Sequence, residues 1–209
     1  DGASPDVELD ANATTMLTDG DFDVVRVGPS DFEADELLDI YCKMLTSRRL
    51  DEKMLTLLKQ GKGFFHIGCA GHEATQAAIG KLSRVGEDWF SMYYRDMMMY
   101  LMLGGTEQEV LLHHMAKADD PNSSGRQMAE HFSSKERNIL TISSSVGAQF
   151  LPAVGTAMAL QREGKDAFVY ASCGDGATSQ GDFHESLNWA ARANAPVLFV
   201  VQDNGYAIS

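Results

Sequence analysis

AFVYASCGDGATSQGDFHESLNWAARANAPVLFVVQDNGYAIS, residues 167–209, is the stretch on which the fold is decided. Its opening apolar run is too short for a helix and is followed at once by Gly174-Asp175-Gly176, which predicts a buried strand of a parallel sheet over 167–172. Residues 197–201, opened by Pro196, predict a second strand. Between them Phe183, Leu187, Ala190 and Ala191 share one face at helical spacing, and Ser179 with Asp182 is a capping-box signature for the helix start. Strand, turn, helix and strand make a βαβ unit. Such crossovers are right-handed in nearly all proteins, and ligands of open α/β sheets sit beyond the carboxyl ends of the strands. Asp175 and Asn204 lie just past those two ends, so both point into one crevice.

The crevice has the makings of an anion site. Gly174 and Gly176 let backbone amides approach a bulky anion, and the helix start near Thr178 and Ser179 adds the positive end of a helix dipole. A bare carboxylate at Asp175 would repel that anion. Magnesium between the two removes the conflict, because this hard cation shares its six oxygens among phosphates, one or two protein groups and water. Side-chain oxygens of Asp175 and Asn204, with one backbone carbonyl, supply the protein's share.

Gly174-Asp175-Gly176, twenty-seven further residues and then Asn204 resembles the thiamine diphosphate motif. The longer text GDGATSQGDFHE…NGYAIS resembles the alpha subunit of the thiamine-dependent 2-oxo acid dehydrogenases, the decarboxylating component of the pyruvate and branched-chain complexes. The resemblance extends over residues 32–209. It implies that Asp175, Asn204 and the main-chain oxygen of Tyr206 hold magnesium, and that Gly174, Gly176, Ala177 and Ile208 belong to the cofactor site. Tyr94-Arg95 matches the tyrosine and arginine that reach the diphosphate in this family, a task suited to the paired donors of a planar guanidinium; the alternative is a surface ion pair of Arg95 with Asp96. Ser144 and Val146 stand where main-chain groups meet the aminopyrimidine. Branched-chain members also hold potassium here, but beside Ser143 and Gln149 this chain has Ala148 in place of a threonine ligand, which argues against that ion. Gln202-Asp203 departs from the family as well, which has asparagine at the second position and, in branched-chain members, often arginine at the first. The departure removes a cation from the diphosphate and leaves the metal ligands intact.

GRQMAEHFSSKE, residues 125–136, resembles the GRQMPVHYG-like text of branched-chain enzymes, whereas pyruvate-specific relatives carry a GRGGSMH-like version. What the resemblance implies is therefore oxidative decarboxylation of a 2-oxo acid, branched-chain in preference to pyruvate, with acyl transfer to a lipoyl-bearing acyltransferase. It places the catalytic carboxylate on a beta subunit or fused beta domain, and an essential histidine of the alpha subunit beyond Ser209. His66 and His131 are then the catalytic candidates within the chain. The implied architecture is an α/β thiamine diphosphate-binding fold, a parallel sheet flanked by helices that breaks off after its second recognisable strand. An unpaired sheet edge calls for further chain or a partner. Alternatives are a pyruvate or acetoin dehydrogenase alpha subunit, or a non-catalytic fragment or paralogue kept for assembly.

Composition agrees with this reading. The chain has 209 residues, 44% of them hydrophobic, enough for one sizeable core. A net charge of -13 argues against a nucleic-acid partner. No apolar run has membrane-spanning length and no signal peptide is visible, so neither a membrane nor secretion is expected. Cys42, Cys69 and Cys173 are odd in number and widely spaced, which fits a reducing compartment, the cytoplasm of a bacterium or archaeon or the mitochondrial matrix. Cys173 reads as a buried structural thiol. Without CxxC or histidines paired at ligand spacing, a zinc site is not expected.

Residues 1–30, with seven acids and no Lys or Arg before Arg26, read as an acidic mobile segment containing at most a strand at 24–27. Residues 31–209 form the front part of the cofactor domain. Helices are expected from 31 or 32 to 60, with Asp31 as cap, Gly61 as stop and a solvated face at Arg48, Arg49, Asp51, Glu52 and Lys53; at 72–82; at the Met-rich 96–103; at 106–117; and at 147–162. In the last, Ala148, Ala153, Gly155, Ala157 and Ala159 are expected to pack closely on neighbours. His72 reads as structural, and the adjacent His113 and His114 face different ways. Residues 118–134 read as an ordered loop or a flap.

Overall fold

A computed structural model describes residues 32–207 and, before them, strands β1 (Leu17–Asp19) and β2 (Phe22–Val24), which pair antiparallel. Two short strands thus stand at residues 17–24, where the sequence offers at most one at 24–27; the part of that strand beyond Val24, the cap at Asp31 and the cofactor residue Ile208 lie outside the described residues. The chain divides into two units, residues 1–42 and 43–209. The first carries β1, β2 and the start of helix α1 (Ala34–Lys59); everything below belongs to the second.

α1 ends as expected at Gly61, whose φ of +70° suits glycine. The amide of Gly61 donates to the carbonyl of Leu58 and that of Lys62 to Leu57, so the last carbonyls are satisfied. Ser47, Leu50, Asp51, Met54 and Leu57 form its buried stripe. Asp51 does not belong to a solvated face: it is 7% exposed and accepts hydrogen bonds from the amides of Cys69 and Ala70. Helix α2 (Glu73–Leu82) begins after His72 and leads to strand β3 (Trp89–Ser91). Helix α3 (Met97–Met102) buries Met97, Met98 and Met99. Helix α4 (Glu107–His114) starts at Thr106 in a full capping box, the Thr106 hydroxyl accepting from the Glu109 amide and the Glu109 carboxylate accepting from the Thr106 amide.

Helix α5 (Phe150–Arg162), strand β4 (Val169–Gly174), a 3-10 turn (Asp175–Ser179), helix α6 (Gly181–Ala193) and strand β5 (Val197–Gln202) complete the unit. The sheet order is β3-β4-β5, parallel throughout, with Trp89 beside Val169 and Val169 beside Val197. The βαβ unit is thus as expected. The sheet has three strands, not two, because β3 is only three residues long and too brief to show a period.

β4 alternates as a strand must. Val169, Ala171 and Cys173 pack with Phe150, Ala153, Ala157 and Leu160 of α5, while Tyr170 and Ser172 turn to a polar centre around Asp96. Each large apolar side chain so buried stabilises the fold by about 1.5–3 kcal/mol. Burial pushes the Cys173 thiol up to about 12, as befits a structural cysteine. Two details differ from expectation. Gly155 and Ala159 lie on the exposed face of α5, so only Ala153 and Ala157 of the small residues make the close contact. The buried face of α6 is Ser186 and Ala190 with half-buried Phe183; Leu187 is 38% exposed and Ala191 is exposed as well. The β5 edge is likewise open, with Leu198 and Val201 exposed. Among the described residues no helix is long and apolar enough to cross a membrane.

Candidate functional site

A cavity of about 210 Å³ opens beyond the carboxyl ends of β4 and β5. Ten described residues expected at the site line it: Tyr94, Arg95, Ser144, Val146, Gly174, Asp175, Gly176, Ala177, Asn204 and Tyr206. His131 lines it as well; His66 does not. Five segments far apart in sequence therefore converge on one hollow.

The turn after β4 is built differently from the capping box expected at Ser179 and Asp182. A 3-10 turn intervenes, α6 begins at Gly181 after Gln180, and no side chain caps it. The Thr178 hydroxyl instead donates to the Asp175 carbonyl at 2.7 Å, closing the tighter turn. The amide of Asn204 donates to Asp175 Oδ1 at 3.4 Å, joining the two strand ends across the crevice. Asn204 Oδ1 accepts from the Tyr206 amide at 2.9 Å, which holds the tip of the second turn. Asp175, Asn204 and Tyr206 are thus gathered, half-buried to exposed, at one edge of the cavity. A Cβ on Gly176 would lie 2.9 Å from that of Ala207, closer than two such atoms approach, so glycine here is what lets the two turns meet.

Arg95 is half-buried, donates through Nη1 to the Gly68 carbonyl at 2.8 Å and lies 5.5 Å from the centre of the Tyr94 ring. It makes no ion pair with Asp96, the alternative that sequence left open. Asp96 is fully buried and accepts from the Tyr93 amide, the Tyr170 and Ser172 hydroxyls and Gln202 Nε2. Burial raises its carboxyl to about 6, against the opposing pull of those hydrogen bonds. Gln202 faces this centre and not the cavity: its Oε1 accepts from Gln76 Nε2 at 3.1 Å. The chain therefore has no cation at this position, and the glutamine that stands there points inward. Asp96 ties together the ends of β4 and β5 and the segment carrying Tyr94 and Arg95, so it positions the cavity wall.

The 118–134 segment is an ordered loop. Asp120 accepts from the amides of Asn122 and Ser123, the Ser123 hydroxyl and His113 Nδ1. Burial alone would raise Asp120; the His113 hydrogen bond leads the contacts that bring it down to about 2. The loop delivers His131, which is buried with Nδ1 3.0 Å from the Ala129 carbonyl. A carbonyl only accepts, so Nδ1 carries the proton and Nε2 is the proton-accepting nitrogen of the neutral ring.

Tyr93 and Asp96 escaped sequence reasoning. Tyr93 lines the cavity with a buried hydroxyl that has no hydrogen-bond partner among the described residues. Buried polar groups are almost always paired, so this orphan marks where a ligand's polar atom belongs. Only its neighbourhood to Tyr94-Arg95 hinted at it. The donor set suits a magnesium diphosphate: hard oxygens at Asp175 and Asn204, a guanidinium at Arg95 with no carboxylate partner among the described residues, and the Tyr93 hydroxyl.

Residues 41–209 match the family described as the dehydrogenase E1 component. The 2-oxoisovalerate dehydrogenase subunit alpha of Bacillus subtilis is 43% identical over 174 residues, which cover 83% of this chain and 53% of that relative. The pyruvate dehydrogenase E1 component subunit alpha of Staphylococcus aureus is 34% identical over 179 residues, 86% of this chain and 45% of the relative. The mitochondrial 2-oxoisovalerate dehydrogenase subunit alpha 2 of Arabidopsis thaliana is 36% identical over 170 residues, 81% of this chain and 36% of the relative. The chain spans about half the length of the first two.

Proposed function

This chain belongs to the dehydrogenase E1 component family, and on that premise we propose that it is the diphosphate-binding portion of the alpha subunit of a branched-chain 2-oxo acid dehydrogenase. The observation that carries the reading is the convergence of Tyr94-Arg95, Ser144–Val146, Gly174–Ala177 and Asn204–Tyr206 on one cavity. The higher identity to a 2-oxoisovalerate than to a pyruvate enzyme supports the branched-chain choice, as does GRQM at residues 125–128.

Each residue has a defined task. Asp175, the Asn204 side-chain oxygen and the Tyr206 carbonyl hold magnesium; Arg95 and the turn amides bind the diphosphate; the Tyr93 hydroxyl gains its missing partner. Main-chain groups at Ser144 and Val146 orient the aminopyrimidine. When bound, thiamine diphosphate supplies an electron sink for loss of carbon dioxide from a 2-oxo acid. His131, with its tautomer set by Ala129, holds or yields a proton at Nε2 on the cavity wall. A beta subunit or fused beta domain contributes the remaining carboxylate, and a lipoyl-bearing acyltransferase takes the acyl group. The setting is a bacterial or archaeal cytoplasm or the mitochondrial matrix.

The test is decarboxylation by the full-length protein with its beta component, followed with an artificial electron acceptor. A kcat/KM for 2-oxoisovalerate at least tenfold above that for pyruvate is expected. The reverse preference would overturn the substrate assignment, and no turnover of any 2-oxo acid would overturn the function.

A further inference from the structure

His66, His114 and Glu130 come from three segments far apart in sequence, and one ligand atom of each lies within 4.8 Å of the others. None of the three lines the cavity. We infer that they form a binding site for a divalent transition-metal ion of the zinc and cobalt class.

His114 is the decisive member. It is fully buried, and neither ring nitrogen makes a hydrogen bond of good geometry, although the backbones of Met54 and Phe65 lie close enough to act on it. An imidazole needs at least one partner when water is excluded, and the ring faces His66 edge to face at 5.9 Å between centres. Glycine at 63 is what makes room for the ring, because a Cβ there would lie 2.2 Å from His114 Nε2.

The carboxylates fit the same role. Glu130 is 2% exposed, its Oε1 lies 2.6 Å from His66 Nδ1, and its Oε2 accepts from the Ile67 amide at 2.7 Å. It sits at φ +66°, a left-handed conformation that costs a non-glycine residue about 1–2 kcal/mol. Asp51 stands on the other side of His66, with Oδ1 3.6 Å from Nε2. A metal-ligating histidine usually gives its second N–H to a carboxylate; with Nδ1 on an ion beside Glu130, the Nε2–H of His66 would need to close on Asp51, which at 3.6 Å is not yet hydrogen-bonded. Two imidazoles and one carboxylate are a donor set for zinc, cobalt or nickel in preference to magnesium or calcium. In a tetrahedral site with bonds of about 2.1 Å, ligand atoms stand about 3.4 Å apart, so closure needs side-chain shifts on the order of 1 Å.

The sequence argued against such a site because its spacing shows no paired ligands. Folding assembles the three from the loop before α2, the end of α4 and the loop at residues 118–134.

The test uses Co2+ as the probe on chelator-treated protein. One equivalent is expected to bind, with a visible absorption band and strongly shifted resonances from two imidazoles in the wild type. Asp175→Asn, which removes a ligand of the cavity's magnesium site, should leave the two shifted imidazoles in place. Glu130→Gln and His114→Gln should each weaken binding beyond the ~10–100-fold that loss of an outer-shell partner costs. Wild-type protein that binds no Co2+, or binds it without two shifted imidazoles, would overturn the inference by itself, whether or not the variants fold. Folded variants that retain wild-type affinity would overturn it too. In either case His66, Glu130 and Asp51 form only a buried ion-pair cluster.

Discussion

Asp96→Asn removes the charge at the centre of the cavity wall and leaves the shape nearly unchanged. The folded carboxyl titrates at about 6 because burial penalises its charge, while 3.8 is its ordinary value. A raised value means that the folded protein holds this proton more tightly than the unfolded chain. Its stabilising contribution is then full below 3.8 and is lost as pH rises through about 6. The difference, about two units, corresponds to about 3 kcal/mol. The amide variant has no such titration. Its offset comes from geometry: Asp96 accepts at both oxygens, and an NH2 at either one meets a donor. At Oδ2 that donor is the Tyr93 amide, which is fixed. At Oδ1 it is Gln202 Nε2, which cannot flip because its Oε1 is held by Gln76, itself fixed by the Met99 amide and the Arg95 carbonyl. One opposed buried pair costs about 1–3 kcal/mol at all pH values. Urea unfolding of both proteins from pH 4 to pH 8 gives two stability curves. From the acid end to the neutral end the wild type should lose about 2–3 kcal/mol relative to the variant, enough to cancel or reverse the offset. Parallel curves would refute the reasoning that Asp96 is ionised at a desolvation cost in the native protein.

Gly176→Ala places a Cβ 2.9 Å from that of Ala207 and should destabilise by about 1–3 kcal/mol while weakening thiamine diphosphate binding, both read by thermal shift with and without cofactor. Tyr93→Phe removes a buried hydroxyl without a partner, so the cofactor-free protein should gain about 1 kcal/mol of stability in urea unfolding while cofactor affinity falls. A loss of stability would show that the hydroxyl is already satisfied. Thr106→Ala dissolves the capping box of α4 and should cost about 1 kcal/mol in the same unfolding experiment, with cofactor affinity unchanged.

The βαβ unit and the cofactor crevice were legible because their signals are local. The apolar run, the glycine turn and the polar turn at Asn204 each occupy a few adjacent residues, and strand order then brings Asp175 and Asn204 together. β3 was not legible, since Trp89–Ser91 is too short for a period and its identity as a strand comes from pairing with β4. Charged residues inside the fold were misplaced for a related reason. Asp51 looks like one more acid on a charged helix until the amides of Cys69 and Ala70 arrive. Gln202 was placed by its neighbours in the turn, yet β5 alternates and turns that side chain toward Asp96. The group at His66, His114 and Glu130 depends wholly on long-range packing, which no spacing rule reports.

The central claim is that Asp175 and Asn204 hold a magnesium diphosphate in this cavity. Calorimetric titration of the protein with thiamine diphosphate, with magnesium and then with chelator, tests it most directly. Saturable binding that requires magnesium and disappears in Asp175→Ala is the outcome expected from the geometry. Binding that persists in chelator, or that Asp175→Ala leaves intact, would contradict the account.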